Sequence, residues 1–269
     1  MARGSVARRE LPGGVTPAEI LALEDLGRRR GGVVYLGGSV VEGHGNPWSD
    51  VDVFVVGNLP PVGPDVKPGD VNTVSVHFYK GVRFDFEYWA PERVRDLARR
   101  LRSIRLGITR SLTRTTFSYI EECFLHRLRT GRPLRDARGF RNWQSRFNFR
   151  KFALYQAQET VRHVDAMLED ACGMLEAGHV EAAVFTAREM VGEAVDAYCH
   201  FRGETDPVKK WRLVHVARLP ADDEHQVELR ETYWQLQFPP LSCVRDGARA
   251  RAYVEQCVRF TNRVVSWIQ

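Results

Sequence analysis

Six residues in the first third of the chain have the types and spacing to handle a phosphorylated ligand. Tyr35-Leu36-Gly37-Gly38-Ser39 closes a β-branched and aromatic run, ten residues follow, and Asp50-Val51-Asp52 opens the next run, SDVDVFVV. Glycine at 37 and 38 lets backbone approach a bulky anion with no Cβ in the way, and Ser39 offers a hydroxyl and an amide at the start of a helix. Phosphate is the natural occupant. Asp50 and Asp52, two apart on a strand, point to one face about 7 Å apart along it, a spacing suited to one or two Mg2+ ions. Two carboxylates that close resist ionising together unless a cation lies between them, so a metal is expected.

A third acid should come from a neighbouring strand. In VRFDFEYW, Phe84, Phe86 and Tyr88 alternate with Arg83, Asp85 and Glu87, so the acids share a face opposite the aromatics. Asp85 is the first choice and Glu87 the alternative, Glu87 being equally suited to pair with Arg83. A two-metal site of this kind, its ions roughly 3.5 to 4 Å apart, activates an acceptor hydroxyl and neutralises a leaving pyrophosphate. That is the chemistry of nucleotidyl transfer.

The elements that must position these residues follow from hydrophobic period and turn signals. Residues 17 to 30, PAEILALEDLGRRR, carry an apolar stripe with Thr16 as N-cap before Pro17, which predicts an opening helix. VVYL (33 to 36) and VDVFVV (51 to 56) predict strands on either side of the glycine-rich connection. Residues 57 to 70 are rich in proline and glycine and read as a loop. VNTVSVHFY and VRFDFEYW, separated by Lys80-Gly81, read as a β-hairpin. Helical pattern covers 92 to 105 and 113 to 129, and GRPLRD (131 to 136) reads as a short edge strand in which Pro133 is tolerated.

Beyond Trp143 the pattern changes to long Ala-, Glu- and Arg-rich helical segments at 145 to 176, 179 to 202 and 247 to 268, an antiparallel helical bundle. The expected organisation is α+β: a mixed sheet with helices over residues 1 to 141, then an all-α domain over 142 to 269. Helix 179 to 202 aligns Glu189, Glu193, Asp196 and His200 beside an apolar stripe of Val184, Val191 and Val195. Glu189 or Glu193 is a candidate base for an acceptor hydroxyl, although the same stripe reads as a solvated face with Arg188 pairing nearby. Lys209 and Lys210 are candidates to contact a triphosphate, or equally the start of a helix. His44, in the loop between the two halves of the signature, is either a ligand contact or a solvated histidine.

Composition limits the alternatives. The chain has 269 residues, 43% hydrophobic and 27% charged, with a net charge of +5, which excludes disorder, collagen and coiled coil as its main character. All but five of its 39 basic residues are arginine. The mild excess suits a ligand as small as a nucleoside triphosphate and falls short of a nucleic-acid-binding signature. Trp143, Phe147 and Phe149 interleave with Arg141, Arg146 and Arg150, so RNA is kept as a less favoured acceptor. Five scattered cysteines, with no CxxC pair, and no apolar run of membrane-spanning length predict a reduced, cytoplasmic setting without export or membrane insertion.

Gly37-Gly38-Ser39, Asp50-x-Asp52 and the later strand acid Asp85 resemble the DNA polymerase β-like nucleotidyltransferase superfamily, and the phrase LGGSVVEGHGNPWSDVDVFVV carries the likeness. The resemblance implies a twisted mixed-sheet palm, an NTP with Mg2+ as cofactor, and Asp50, Asp52 and Asp85 as metal ligands. A helical domain after such a palm is similar to the layout of small-molecule nucleotidyltransferases of the aminoglycoside type. It implies transfer of AMP from ATP to a hydroxyl-bearing small molecule, aminoglycoside-like or a biosynthetic intermediate, held in the cleft between domains; a monomer and a homodimer both stay open. Two other readings stand beside it. A toxin-antitoxin partner acting on RNA or protein would need an Arg-x4-6-His motif, and the nearest histidine after Arg188 is His200. A non-catalytic nucleotide sensor would bind NTP without releasing pyrophosphate.

Overall fold

A computed structural model describes residues 11–27, 31–58, 65–107, 116–241 and 246–268. The chain divides into two units, Met1–Ser103 with Thr115–Asn148, and Ile104–Arg114 with Phe149–Gln269.

The first unit is built on one mixed sheet. Its strands are β1 (Val33–Gly37), β2 (Val51–Val56), β3 (Asp65–Pro68), β4 (Thr73–Tyr79), β5 (Val82–Trp89) and β6 (Arg132–Arg135), in the order β3-β4-β5-β2-β1-β6. Only β2 and β5 pair in parallel; the other neighbours are antiparallel. Alternation sorts the side chains as expected. Val34, Leu36, Val51, Val53, Val55, Phe84, Phe86 and Tyr88 form one buried face together with Ile20 and Leu26. The opposite face carries Tyr35 stacked on Phe54 at 5.1 Å. The hairpin turns through Lys80 and Gly81, both at positive φ, the geometry of a two-residue turn.

Among the described residues the α-helices of this unit are α1 (Pro17–Leu23), α2 (Gly38–Glu42), α3 (Pro91–Ser103), α4 (Tyr119–Thr130) and α5 (Ala137–Gln144). Thr16 caps α1 in a capping box with Glu19. This helix is shorter than the expected 17 to 30. Its C-cap Glu24 is fully buried, accepts a hydrogen bond from Ser75 Oγ and lies 2.8 Å from His77 Nε2. Asp25, at φ 50°, then turns the chain so that Leu26 enters the core; residues 28 to 30 lie outside the described residues. The expected loop 57 to 70 contains β3, an edge strand on β4, hidden in sequence by its proline; residues 59 to 64 of that segment lie outside the described residues. The predicted edge strand appears as β6.

The start of α4 is set by Ser118 and Glu121, a second capping box, six residues later than the expected 113, and residues 113 to 115 lie outside the described residues. Phe124 of α4 stacks on Trp89 at 4.1 Å, and Phe140 of α5 meets Tyr35 at 4.9 Å. These two helices cover the aromatic end of the sheet face opposite α1.

The second unit contains α6 (Phe149–Glu176), α7 (Val180–Phe201), α8 (Arg212–Ala217), α9 (Gln226–Gln237) and α10 (Gly247–Ser266). The sequence pattern anticipated the three long helices and, at Lys209-Lys210, the helical turn that leads into α8, but not α9. Helix α7 is central: apolar residues from Ala183 to Cys199 are buried against Val164, Val216, Leu229, Val254 and Phe260 of the other helices. From Met190 to His200 every residue of α7 is buried, so that stretch has no solvated face, which corrects one sequence expectation. Glu193, Asp196 and His200 are buried, and only Glu189 of that stripe keeps substantial exposure. Among the described residues no helix is long and apolar enough to cross a membrane, and Cys123, Cys172, Cys199 and Cys257 form no disulfide; Cys243 lies outside them.

Candidate active site

Strand register brings the signature residues into one row. Gly37 lies opposite Asp52 in the β1–β2 pair, and Asp52 lies opposite Asp85 in the β2–β5 pair. Adjacent strands stand about 4.8 Å apart, so Asp52 is the middle of three neighbours, flanked by the glycine that opens the glycine-rich loop and by a second carboxylate. Asp50, half-buried, precedes β2 by one residue.

The glycines act by what they lack. A Cβ on Gly37 would meet the Phe54 ring at 2.9 Å and Arg127 Cβ at 3.0 Å. At Gly38 it would collide with Asp52 Oδ2, and Gly38 also holds φ +74°, a conformation that disfavours any side chain. Backbone and carboxylate therefore approach more closely here than any other residue type would permit. Ser39 follows in the first turn of α2, and its carbonyl accepts backbone N–H bonds from Gly43, His44 and Gly45 at 2.9, 3.1 and 2.9 Å. The loop is thus folded back onto α2.

Burial, more than repulsion between the carboxylates, dominates the electrostatics at Asp52. Burial pushes the Asp52 carboxyl up to about 6; Arg127 opposes the rise, and the charges of Asp50 and Asp85 add to it. Arg83 grips Asp85 as a fork, Nε donating to Oδ1 and Nη2 to Oδ2, both at 2.7 Å. The same guanidinium feels Asp50 and Asp52. Glu87 does not pair with Arg83. It accepts from Asn72 Nδ2 at 2.9 Å and from Trp89 Nε1 at 3.3 Å, stands opposite Phe54 rather than Asp52, and is pushed up to about 7, chiefly by burial.

Arg127 is the site residue that sequence reasoning missed. Projecting from α4, its Nε lies 3.7 Å from Asp52 Oδ2, and its Nε and Nη1 are buried without a hydrogen-bond partner among the described residues. Beside it on the same helix, His126 Nε2 meets Glu42 Oε1 of α2 at 2.9 Å, both side chains buried. No local spacing rule links a helix residue to a strand aspartate seventy-five positions earlier, so the sequence offered no signal for either contact.

Carboxylate oxygens suit a hard dication such as Mg2+. Asp52 and Asp85 stand opposite each other and the charge of Asp50 reaches Asp52, while Gly38, lacking a Cβ, lets its backbone lie against Asp52 Oδ2.

The remaining candidates lie in the helical unit. Lys209 Nζ bonds Glu193 Oε1, so two residues with different expected roles are joined to each other. Arg212 Nη2 is 3.9 Å from Glu193 Oε1, Lys210 Nζ sits 5.2 Å over the Trp211 ring, and Glu189 pairs with Arg188 at 3.1 Å. Of the aromatic and arginine run, Phe147 is buried and Arg146 covers the Trp143 ring at 5.0 Å.

Residues 21–102 match the family model described as a nucleotidyltransferase domain. No curated protein matches the chain. Among solved structures, a nucleotidyltransferase-like protein from Exiguobacterium sibiricum 255-15 matches at 11% identity and a TM-score of 0.48, covering 91% of this chain and 73% of that one.

Proposed function

We propose that the protein moves AMP from ATP to a hydroxyl group of a small molecule, with Mg2+ as cofactor and pyrophosphate as the leaving group, on the premise that residues 21–102, which match the nucleotidyltransferase domain, act as one of the polymerase β-like kind. The observation that carries this reading is the row Gly37, Asp52 and Asp85 on three adjacent strands. It sets an anion-accepting loop beside the carboxylates that would hold a dication. Asp50, Asp52 and Asp85 are the residues that would hold the metal, which when bound would lower the pKa of the acceptor hydroxyl and neutralise charge on the triphosphate.

Gly38 and Ser39 hold the β and γ phosphates through backbone amides and the Ser39 hydroxyl. Arg83 fixes the orientation of the Asp85 carboxylate with its two-pronged bond. The acceptor oxygen forms a bond to the α-phosphorus while the bond from that phosphorus to the bridging oxygen of pyrophosphate breaks, and the hydroxyl proton passes to a base. Both acids considered for that task are paired within the helical unit, Glu193 with Lys209 and Glu189 with Arg188.

The test mixes purified protein and Mg2+ with each of the four NTPs and follows pyrophosphate release, with and without a panel of aminoglycosides and a cell extract. Release that depends on an acceptor and disappears in Asp52→Asn supports the reading. NTP binding without pyrophosphate release from any mixture replaces it with a nucleotide sensor.

A further inference from the structure

Trp48 is 94% exposed. An indole is among the largest apolar groups a protein has to bury, and Trp89 of the same unit is 1% exposed. Trp48 also has no ring partner among the described residues, whereas the other exposed tryptophan, Trp234, packs against Phe238 at 5.2 Å. A solitary tryptophan in water is ordinary on a loose loop. This one sits on a pinned turn.

Asn46 N–H donates to Ser49 Oγ at 2.9 Å, Trp48 N–H to Asn46 Oδ1 at 2.8 Å, and Ser49 N–H to Asn46 O at 2.9 Å. Upstream, the same loop is tied to the carbonyl of Ser39 by three backbone bonds. Downstream, Asp50 follows two residues later. The turn is therefore anchored at one end to the phosphate loop and at the other to the acidic strand. Two residues span at most about 7 Å, so the Trp48 backbone stays within that distance of Asp50.

We propose that Trp48 is a stacking platform for the base of the nucleoside triphosphate. The inference rests on the transfer reaction proposed above, which fixes one substrate as a triphosphate joined through a sugar to a flat aromatic ring. With the phosphates at Gly38 and Ser39 and the α-phosphorus at the carboxylates, the base is the part of that substrate that extends beyond the anchored row. Stacking needs only a π-face, so the platform tolerates any of the four bases and sets affinity more than identity.

The test compares the full-length protein with Trp48→Leu and Trp48→Phe by calorimetric titration, using magnesium ATP and, as a ligand with phosphates and no ring, magnesium tripolyphosphate. Trp48→Leu is expected to weaken ATP by about tenfold, the scale of one base–aromatic stack, and to leave tripolyphosphate within about twofold. Trp48→Phe recovers most of the ATP affinity. In the wild-type protein ATP, and not tripolyphosphate, quenches an indole signal that is missing from Trp48→Leu. Unchanged ATP affinity in Trp48→Leu, or equal losses for both ligands, overturns the platform and leaves the transfer reaction standing. A wild-type protein that binds neither ligand removes the transfer reaction, and the platform with it.

Discussion

The Asp52 carboxyl group is pressed from two sides. Burial and the neighbouring carboxylates favour its protonated form, Arg127 favours the ionised one, and the balance holds it at about 6. A cation ligates only the ionised form, so below pH 6 metal must displace a proton. Mn2+ binding, followed by calorimetry in two buffers of different ionisation enthalpy, should strengthen as pH rises through 6 and release about one proton per site on the acid side. Asp52→Asn should show neither effect. Arg127→Met sharpens the argument. Breaking a buried charge pair costs roughly 3 to 5 kcal/mol, yet the substitution also removes two buried N–H donors that lack partners, each worth roughly 1 to 3 kcal/mol. The two effects offset, so the melting temperature should change little while the midpoint of metal binding moves to higher pH. An unmoved midpoint would show that Arg127 does not govern the charge on Asp52.

At the scale of elements, α4 does more for the site than its position in the chain suggests. One face supplies Phe124 to the aromatic cover of the sheet, while His126 reaches α2 and Arg127 reaches β2. The glycine-rich loop's helix α2 and the acidic strand are thus braced by adjacent residues of one helix. Its first turn depends on Ser118, whose hydroxyl accepts from Glu121 N–H while Glu121 Oε2 accepts from Ser118 N–H at 2.8 Å. Ser118→Ala should cost about 1 kcal/mol, a drop in melting temperature of about 2 to 4 °C in a thermal scan. Local pattern made most elements legible: the period-2 runs of β2, β4 and β5, the Thr16 cap of α1, and even the proline-bearing edge strand β6. It failed where a tertiary contact outranked local preference. α1 stops at Leu23 because Glu24 is drawn inside by Ser75 and His77, and β3 exists because β4 offers it a free edge.

At the scale of the molecule, each of the two units carries its own core, and the helical one contains charge that its sequence did not announce as interior. Arg212 grips Asp196 with Nε at 2.8 Å and Nη2 at 2.6 Å, donates to Tyr233 OH at 3.0 Å, and lies against Gly192, where any Cβ would collide with the guanidinium. Arg212→Met leaves Asp196 buried without a partner and should destabilise this unit by roughly 3 to 5 kcal/mol. Adding Asp196→Leu should restore much of that loss. Denaturant melts followed by hydrogen exchange in α7 and α9 would check both, and a double variant no more stable than Arg212→Met alone would refute the pairwise account.

The sequence by itself supplied the candidate residues and the chemistry they suggest: Gly37-Gly38-Ser39 and Asp50-x-Asp52 are close in the chain, and strand alternation alone puts Asp85 on a face of its own strand. Such features are legible because they depend on local geometry with a fixed period. Only the tertiary structure decided which acid stands beside Asp52, since the parallel register of β2 and β5 sets Asp85 opposite it and moves Glu87 opposite Phe54. It also decided that Arg127 faces Asp52, and that Glu193 and Asp196 lie in a buried ion network instead of on a solvated stripe. These outcomes depend on which elements pack together, and contact across the fold leaves no periodic trace in the chain.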